Sequence, residues 1–381
     1  MEVPHALRDL SRIFAGEGEE IWLVGGPVRD WLRGQPSADI DVATTATTDK
    51  QIAIYERHGI RHIPTGLQHG TITVVMEGEV YEITTCRTET DHDGRHATVV
   101  PTRSIVEDLG RRDLTINAIA MSMDGEMVDP FDGERDIRDG VVRFVGDAAA
   151  RIREDHLRIL RWFRFFGRMG RADMPDAQAV SAIREGAASL GAISVERIWS
   201  EMARIVTGPQ ADSVIALMEQ TGVLAAIGIA DPDKATGARA AAVTRDPASV
   251  MTAYAGSAAE TLPDAWKWSR DERAKALIVT KAIKSASYGL AEAKADLVAG
   301  ADIEGVVASL AIRTSATTAS TLRDWIVPTF PIAARNLLAE GMKPGIALGE
   351  TMRHLQSQWA LSDYSMTGDD LIRMAVAQSP A

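Results

Sequence analysis

Strand-forming segments are confined to the first part of this 381-residue chain. Segments with strand character, such as 20–26, 38–44 and the alternating stretch 70–86, all precede residue 145. From about Ala148 onward, alanine-rich segments that favour helix dominate, and there is little strand character. We therefore expect an α+β fold in which a mixed α/β head of roughly 140 residues is followed by an all-helical remainder.

The sequence also predicts short helices and loops within this arrangement. Segments 5–15 and 49–59 have the apolar spacing of short helices. The polar stretch 88–104 contains glycine and proline and predicts a mobile loop, whereas 126–146 predicts a second small hairpin or loop. Residues 231–256 are rich in Ala, Thr and Pro and predict a flexible connection.

Composition excludes several classes of protein. Hydrophobic residues make up 45% of the chain, enough for a sizeable core. Acidic residues outnumber basic ones by 53 to 41, and a net charge of -12 argues against non-specific nucleic-acid binding unless basic residues cluster locally. Cys86 is the only cysteine, which excludes an intrachain disulfide and a cysteine-based zinc site. Without a signal-peptide pattern or a long apolar stretch, we expect a cytoplasmic protein with no membrane partner.

Arginine supplies almost all the positive charge of the first 230 residues, because Lys50 is the only lysine before Lys234. Arginine suits bidentate contacts with phosphates and bases, although codon usage in a GC-rich genome would give the same bias. Residues 151–171 contain seven arginines and two acidic residues. A solvated basic helix face is one interpretation of this cluster; the many apolar and aromatic residues between the arginines favour a partly desolvated, anion-binding surface instead.

Two aspartates in the second strand segment, Asp39 and Asp41, have an i, i+2 spacing. In a strand this spacing places both side chains on one face. Paired carboxylates suit Mg²⁺, which can bridge an attacking oxygen and a triphosphate. The upstream Gly25-Gly26 turn would let backbone N–H groups approach phosphates, and Arg29 adds positive charge. Each feature alone is more often structural, but their combination indicates nucleotidyl transfer.

Strand, double glycine, helix, strand and paired aspartates together resemble the polymerase-β-like nucleotidyltransferases. The resemblance extends to five segments in order: LVGGPVRDWLRG (23–34), DIDVAT (39–44), RRDLTINAIAM (111–121), DPFDG (129–133) and RIREDHLRILRWFRF (151–165). They resemble the successive motifs of the class II tRNA nucleotidyltransferases, the CCA-adding enzymes, and of bacterial poly(A) polymerases. SVERIWSEMARI (194–205) resembles the motif that follows, so that the resemblance covers roughly residues 20–210.

The resemblance implies roles for the residues at matching positions. Asp39 and Asp41 would hold Mg²⁺ and help to deprotonate the attacking 3′-hydroxyl group. Glu82 on a neighbouring strand is a candidate third ligand, although a solvent-facing glutamate fits the pattern equally well. Nucleotide-binding roles are implied for Gly26 and Arg29 at the triphosphate, Arg112 (preferred to Arg111) at the phosphates and Asn117 at the sugar.

Asp155, Arg158, Arg161 and Arg164 recur at intervals of three, which predicts one ridge of a helix. Cytosine and adenine both place an exocyclic amino group next to a ring-nitrogen acceptor, whereas guanine and uracil reverse that order. A carboxylate beside a guanidinium would therefore accept C and A and reject G and U. The resemblance implies that Asp155 and Arg158 form this pair, with Arg161 and Arg164 reaching the triphosphate or orienting Asp155.

The expected function is Mg²⁺-dependent addition of C, C and A to the 3′ end of tRNA from CTP and ATP, with release of pyrophosphate. The resemblance implies contacts with the 3′ end and the acceptor and elbow region of tRNA. It also implies a nucleotidyltransferase head (1–145), a helical neck with the nucleotide-selecting motif (146–230) and a helical body and tail (231–381), in an elongated arrangement. The basic segment 267–284 is a candidate tRNA-binding surface or, equally, a solvated helix.

Other functions remain open alternatives. A bacterial poly(A) polymerase is disfavoured because the chain ends in MAVAQSPA without a basic tail. An enzyme that adds only CC is disfavoured because the segment 87–102, which CC-adding enzymes lack, is of full length, whereas an enzyme that adds only A stays an alternative. Both aspartates of the 39–41 pair are present, which argues against a catalytically silent tRNA-binding relative. A nucleotidyltransferase acting on small molecules would not need the helical remainder.

Overall fold

The computed structural model describes residues 3–36, 40–90 and 98–378. The chain divides into two compact units, Met1–Ile193 and Ser194–Ala381. Every strand of the described residues lies in the first unit. In the described part of the second unit, helices are the regular secondary structure. This arrangement confirms the α+β class and the confinement of strands to the first part of the chain. The three-part division at 145/146 and 230/231 stays a prediction.

The first unit is built on a mixed sheet. The strands of the first unit are β1 Ile21–Val24, β2 Asp41–Thr44, β3 Arg61–Gly66, β4 Thr71–Met76, β5 Glu79–Thr85, β6 Arg87–Thr90, β7 Thr98–Pro101, β8 Ala120–Met121 and β9 Met127–Val128. Strands β6 and β7 form a separate two-stranded ribbon, and the other strands form the mixed sheet. The sheet order is β3-β4-β5-β2-β1-β8-β9. Strands β2 and β5 are parallel, whereas the other neighbours are antiparallel.

The first unit also contains helices. They are α1 His5–Gly16, α2 Gly26–Leu32, α3 Thr48–Arg57, α4 Ile105–Gly110, α5 Gly133–Asp139, α6 Ala148–Glu154, α7 Arg158–Met169 and α8 Ala177–Gly186, with 3₁₀ turns at Leu67–His69, Thr115–Asn117 and Ala187–Ala192. Leu10 of α1 and Ile54 of α3 share a core with Val42 and Ile83 of the central strands. Alternate strand positions such as Ala43 belong to a second core that contains α4. The two faces of the central strands therefore pack differently, as the strand period of two requires.

Two predicted loops of the first unit contain regular structure. Within 88–104, strands β6 and β7 pair from Arg87 opposite Pro101 to Thr90 opposite Thr98, so a ribbon forms where a mobile loop was expected. Within 126–146, β9 is followed by helix α5. The Asp129 carboxylate accepts hydrogen bonds from the backbone N–H groups of Gly133 and Glu134, at 2.8 and 2.9 Å, and so stabilises the start of that helix.

The helices of the second unit are α9 Val195–Val206, α10 Ala211–Gln220, α11 Val223–Ala226, α12 Lys234–Ala241, α13 Pro247–Tyr254, α14 Leu262–Ala265, α15 Arg270–Lys284, α16 Leu290–Val298, α17 Ile303–Arg313, α18 Ala316–Ser320, α19 Ala334–Ala339, α20 Ile346–Leu361 and α21 Gly368–Gln378. The predicted flexible connection 231–256 is wrong, because α12 and α13 occupy it. These helices pack so closely that a Cβ on Gly237 would lie 2.1 Å from the Tyr254 ring. In the described residues, no helix has both the length and the apolar character needed to cross a membrane.

The basic segment 267–284 is largely neutralised within its own unit. Its ion pairs are Lys267–Glu196, Arg273–Asp264, Lys275–Asp246, Lys281–Asp296 and Lys284–Glu260. The acidic partners all lie outside the segment in sequence, which is why a charge count over 267–284 overstates its positive charge. Of the two interpretations of this segment, the ion pairs favour the solvated helix, and tRNA binding stays an alternative.

Candidate active site

The candidate metal ligands lie on adjacent parallel strands. Asp41 is the first residue of β2 and pairs in register with Glu82 of β5. Residues directly opposite each other on neighbouring strands share a face, and this face is the one opposite the core residue Val42. Both acidic residues are exposed. Asp39, the other predicted ligand, lies outside the described residues.

A cavity of about 170 Å³ brings these carboxylates together with arginines of the third motif segment. Its lining includes Asp41, Glu82, Arg111 and Arg112. Asp108, which is almost completely buried, accepts hydrogen bonds from Arg111 Nε at 3.0 Å and from Arg112 Nη2 at 3.3 Å. Because one carboxylate holds both guanidinium groups, the cavity has a fixed cationic wall next to two acidic side chains.

The first glycine of the Gly25-Gly26 pair lies directly against this arginine wall. Gly25 has a φ of +71°, a conformation that side-chain-bearing residues rarely adopt. A Cβ at this position would lie 2.6 Å from Arg112 Nη1, so only glycine lets the arginine approach the turn this closely. The next residue, Gly26, is the first of α2, and Arg29 lies one turn further along that helix.

Four of the predicted nucleotide-binding residues belong to one hydrogen-bonded network. Arg29 Nη1 donates to Asn117 Oδ1 at 2.6 Å, and Arg112 Nη1 donates to the Asn117 carbonyl oxygen at 3.3 Å. The buried Asp113 carboxylate accepts from Asn117 Nδ2 at 3.3 Å and from Arg161 Nε at 2.6 Å. The network therefore connects α2, the 3₁₀ turn at Thr115–Asn117 and helix α7.

Asp113 is the ionised centre of that network. Burial by itself raises the pKa of a carboxyl group, but Arg161 and the hydrogen bond from Asn117 outweigh it. The pKa of Asp113 is consequently below its ordinary value. A charged carboxylate at this position fixes the Asn117 amide, because it binds the NH₂ group and leaves the amide oxygen to accept from Arg29.

The predicted continuous helix from Asp155 to Arg164 is wrong. Helix α6 ends at Glu154, and α7 begins at Arg158. Asp155 between them has extended backbone angles, φ -150° and ψ 110°, and its carboxylate accepts a hydrogen bond from the Leu157 backbone N–H at 3.0 Å. Aspartate often competes with helical hydrogen bonding in this way. Asp155 therefore lies in the break, and only the three arginines share α7.

The α7 arginines have different partners. Arg158 pairs with Glu154, and its Nη2 donates to the Arg111 carbonyl oxygen at 3.3 Å. Arg161 pairs with Asp113, as described above. The guanidinium carbon of Arg164 lies 4.6 Å from the centroid of the Phe165 ring. The contacts of Arg158 and Arg161 thus join the α7 segment to residues 111–113.

Asp108 and Asp113 are the residues to which sequence reasoning assigned no role. Asp108 precedes Arg111 and Arg112 by three and four residues, and this spacing is a recognisable pairing pattern. Asp113 was visible as part of RRD, but its partner Arg161 lies 48 positions away and could not be identified from spacing. Burial of both carboxylates became apparent only in the fold.

The candidate metal ligands among the described residues have the chemistry that a divalent cation requires. Asp41 and Glu82 offer carboxylate oxygens, which are the ligands that hard divalent ions prefer. The described residues contain no cluster of three or more His, Cys, Asp or Glu side chains suited to a metal ion. Of the two aspartates predicted to hold the metal ion, Asp39 lies outside the described residues, and Glu82 is the candidate third ligand.

Known proteins resemble the chain along most of its length. Residues 21–143 match the family model described as the poly A polymerase head domain, and residues 175–228 match a probable RNA and SrmB-binding site of polymerase A. A Danio rerio protein named CCA tRNA nucleotidyltransferase 1, mitochondrial, is 35% identical over 381 residues, 95% of this chain and 88% of the relative. The chain belongs to the CCA tRNA nucleotidyltransferase family.

Bacterial members of the family show the same relationship. The CCA-adding enzyme of Geobacillus thermodenitrificans is 42% identical over 219 residues, which cover 57% of this chain and 52% of that enzyme. The crystal structure of the Bacillus stearothermophilus CCA-adding enzyme in complex with CTP aligns with a TM-score of 0.73 and 28% identity, and the alignment covers 99% of this chain and 98% of that one. The family match confirms the resemblance found in the sequence. The protein is therefore a nucleotidyltransferase, and its family uses a divalent metal ion.

Proposed function

We propose that this protein adds C, C and A to the 3′ end of tRNA, using CTP and ATP and releasing pyrophosphate at each addition. The observation that supports the proposal most directly is the similarity over 88% of a relative named CCA tRNA nucleotidyltransferase. The similar Bacillus stearothermophilus enzyme was crystallised with CTP. In each addition, the 3′-oxygen of tRNA bonds to the α-phosphorus while the bond to the pyrophosphate leaving group breaks.

The proposed metal ion is Mg²⁺, held by Asp39, Asp41 and Glu82. When bound, it supplies positive charge that neutralises the triphosphate and favours ionisation of the attacking hydroxyl group. The register of Asp41 opposite Glu82 supports a shared role for these two carboxylates. We assign the catalytic role to Asp39 and Asp41.

The proposed triphosphate site is formed by Gly26, Arg29 and Arg112, and Asn117 is proposed to contact the ribose. Asp108 and the Gly25 turn hold Arg112 at the cavity wall, so its charge is in place before the nucleotide arrives. Fixed charges of this kind stabilise a transition state without a reorganisation cost.

Base selection is proposed to rest on Asp155 and Arg158. Asp155 would accept a hydrogen bond from the amino group of C or A, and Arg158 would donate to the adjacent ring nitrogen. The pairing of Arg158 with Glu154 and with the Arg111 carbonyl oxygen fixes the orientation of its guanidinium plane. We propose that Arg161 holds α7 against Asp113 and that Arg164 reaches toward the triphosphate.

The functional boundaries are proposed to follow the head, neck, and body and tail division at 145/146 and 230/231. The two matched families end near these positions, at residues 143 and 228. The cytoplasm is our proposed location; mitochondrial targeting, which the names of several relatives suggest, is the alternative. Fractionation of cells expressing the tagged protein distinguishes these compartments.

The test is an incorporation assay with purified full-length protein, Mg²⁺ and a tRNA lacking CCA. CTP alone should give addition of two residues, ATP alone almost none, and both nucleotides together a complete CCA end. Long A tails would favour a poly(A) polymerase, and a stop after CC with both nucleotides present would favour a CC-adding enzyme. The Asp39→Ala variant should be inactive in every arm, and an inactive wild type would favour a silent tRNA-binding relative.

A further inference from the structure

Two arginines of the first unit contact the same aromatic ring. The guanidinium carbon of Arg29 lies 4.9 Å from the centroid of Phe165, and that of Arg164 lies 4.6 Å from it. Both distances are within the range in which a cation is attracted to the electron-rich face of a ring. Phe165 is 6% exposed and Arg29 is largely buried, so water screens these contacts only weakly.

The remaining polar contacts of Arg29 hold its guanidinium plane in place. Its Nε and Nη2 donate to the two carboxylate oxygens of Asp30, at 2.9 and 3.0 Å, and its Nη1 donates to Asn117. The Phe165 ring adds a further contact, with its centroid 4.9 Å from the guanidinium carbon of Arg29. Together they leave Arg29 little freedom to rotate.

The ring also closes a circuit of contacts between two parts of the proposed site. From Arg29 the contacts run through Asn117 and Asp113 to Arg161 on α7. Arg164 and Phe165 follow on the same helix, and the ring of Phe165 returns to Arg29. The aromatic contact is therefore a second connection, independent of the hydrogen bonds, between the base-selecting helix and the phosphate-binding turn.

We infer that Phe165 is a positioning residue for the triphosphate, because its ring holds the guanidinium groups of Arg29 and Arg164 together. Two like charges on one ring repel each other, and a bound polyanion relieves that repulsion. These two arginines would recognise the triphosphate group of a nucleotide, whichever base the nucleotide carries. The inference rests on the proposed nucleotide-binding function.

The test replaces Phe165 in the full-length protein by 4-fluoro-, 3,5-difluoro- and 3,4,5-trifluorophenylalanine. Fluorine withdraws electron density from the ring face while the shape of the side chain changes little, so packing is retained as cation attraction weakens. We expect the Kd for CTP, for ATP and for inorganic tripolyphosphate with Mg²⁺, measured by calorimetry, to rise stepwise. The total rise should be about threefold to thirtyfold, while the affinity for cytidine stays unchanged.

The matched control is the same fluorination at Phe163, which lies fully buried on the same helix and packs edge-on against Trp162. Its variants should bind tripolyphosphate as the wild type does, and Phe165→Leu should bind at least as weakly as the trifluoro variant. A flat series at Phe165, or an equal trend at Phe163, would overturn the inference while leaving the proposed function intact. A wild type that binds neither nucleotide would overturn both.

Discussion

Asp113 is a buried carboxylate between two side chains of the proposed nucleotide site, Asn117 and Arg161. Breaking such a pair leaves a charge without its partner, which costs more free energy than the pair itself contributes. Arg161 is about one-third exposed, however, and water recovers part of that loss. Asp113 therefore contributes both to stability and to the geometry of the site.

We predict that Asp113→Asn lowers the free energy of unfolding at pH 7 by about 2 kcal/mol. Because the folded pKa of Asp113 is lowered, its contribution is complete above the unfolded value of about 3.9 and disappears as the pH falls through the folded value. The difference between wild type and variant should therefore shrink below about pH 4. Urea titrations between pH 3 and pH 7 measure it.

The control for this prediction is Asp173→Asn, which changes an exposed ion pair with Arg171 and should alter stability little. A wild-type advantage over Asp113→Asn that stayed constant down to pH 3 would contradict an ionised, stabilising Asp113.

The motif residues could be identified from the sequence, but their partners could not. The order of the motif segments was enough to select Arg29, Arg112 and Asn117, which the fold then brings into one network. The pairing of Arg161 with Asp113 depends on how α7 packs, and no local spacing encodes that contact. Side-chain partners at long sequence separation are set by tertiary structure, so they are the part that the sequence left undetermined.

Elements were predicted well where periodicity was strong and poorly where small residues dominate. The hairpin of β4 and β5 follows from the alternation in 71–85. Segment 231–256 has few large apolar residues, and only the close packing of α12 on α13 shows why alanine and glycine suit it. In the arginine-rich segment, helical spacing was correct for α7 but could not reveal that the Asp155 side chain interrupts the helix.

The parallel pairing of β2 with β5 leads to a prediction about Glu82. Glu82→Gln should raise the Mg²⁺ concentration needed for half-maximal incorporation several-fold, because it removes charge opposite Asp41. The control is Glu79→Gln, since Glu79 is an exposed residue of the same strand at an odd spacing and faces the other side. Magnesium titrations of the incorporation rate compare the two variants. Equal curves for both would mean that Glu82 is an ordinary exposed strand residue.

At the scale of the whole molecule, the local charge of a surface depends on which residues lie close together in the fold, and a sequence window does not show this. The window 151–171 has an excess of five positive charges in sequence. In the fold, Arg153, Arg161 and Arg171 approach acidic residues that all lie outside that window: Asp147, Asp113 and Asp173. The cationic surface near the proposed site is therefore smaller than the sequence suggested, on a protein with a net charge of -12.

We predict that tRNA binding by this acidic protein depends on a limited number of phosphate contacts and is salt-sensitive. The affinity should fall by at least about tenfold between 50 and 200 mM monovalent salt, because each contact releases counterions from the RNA. Filter binding or fluorescence anisotropy over that range gives the slope. An affinity independent of salt would contradict binding through an arginine-lined surface.

We propose that side chains of this protein, without a nucleic-acid template, select C and A. The most direct measurement is the relative incorporation of UTP and GTP by wild type, Asp155→Ala and the exposed control Asp173→Ala, each with a tRNA lacking CCA. We predict that Asp155→Ala gains incorporation of U and G relative to C and A by about tenfold or more, whereas Asp173→Ala behaves as wild type. Full selectivity in an active Asp155→Ala enzyme would contradict it.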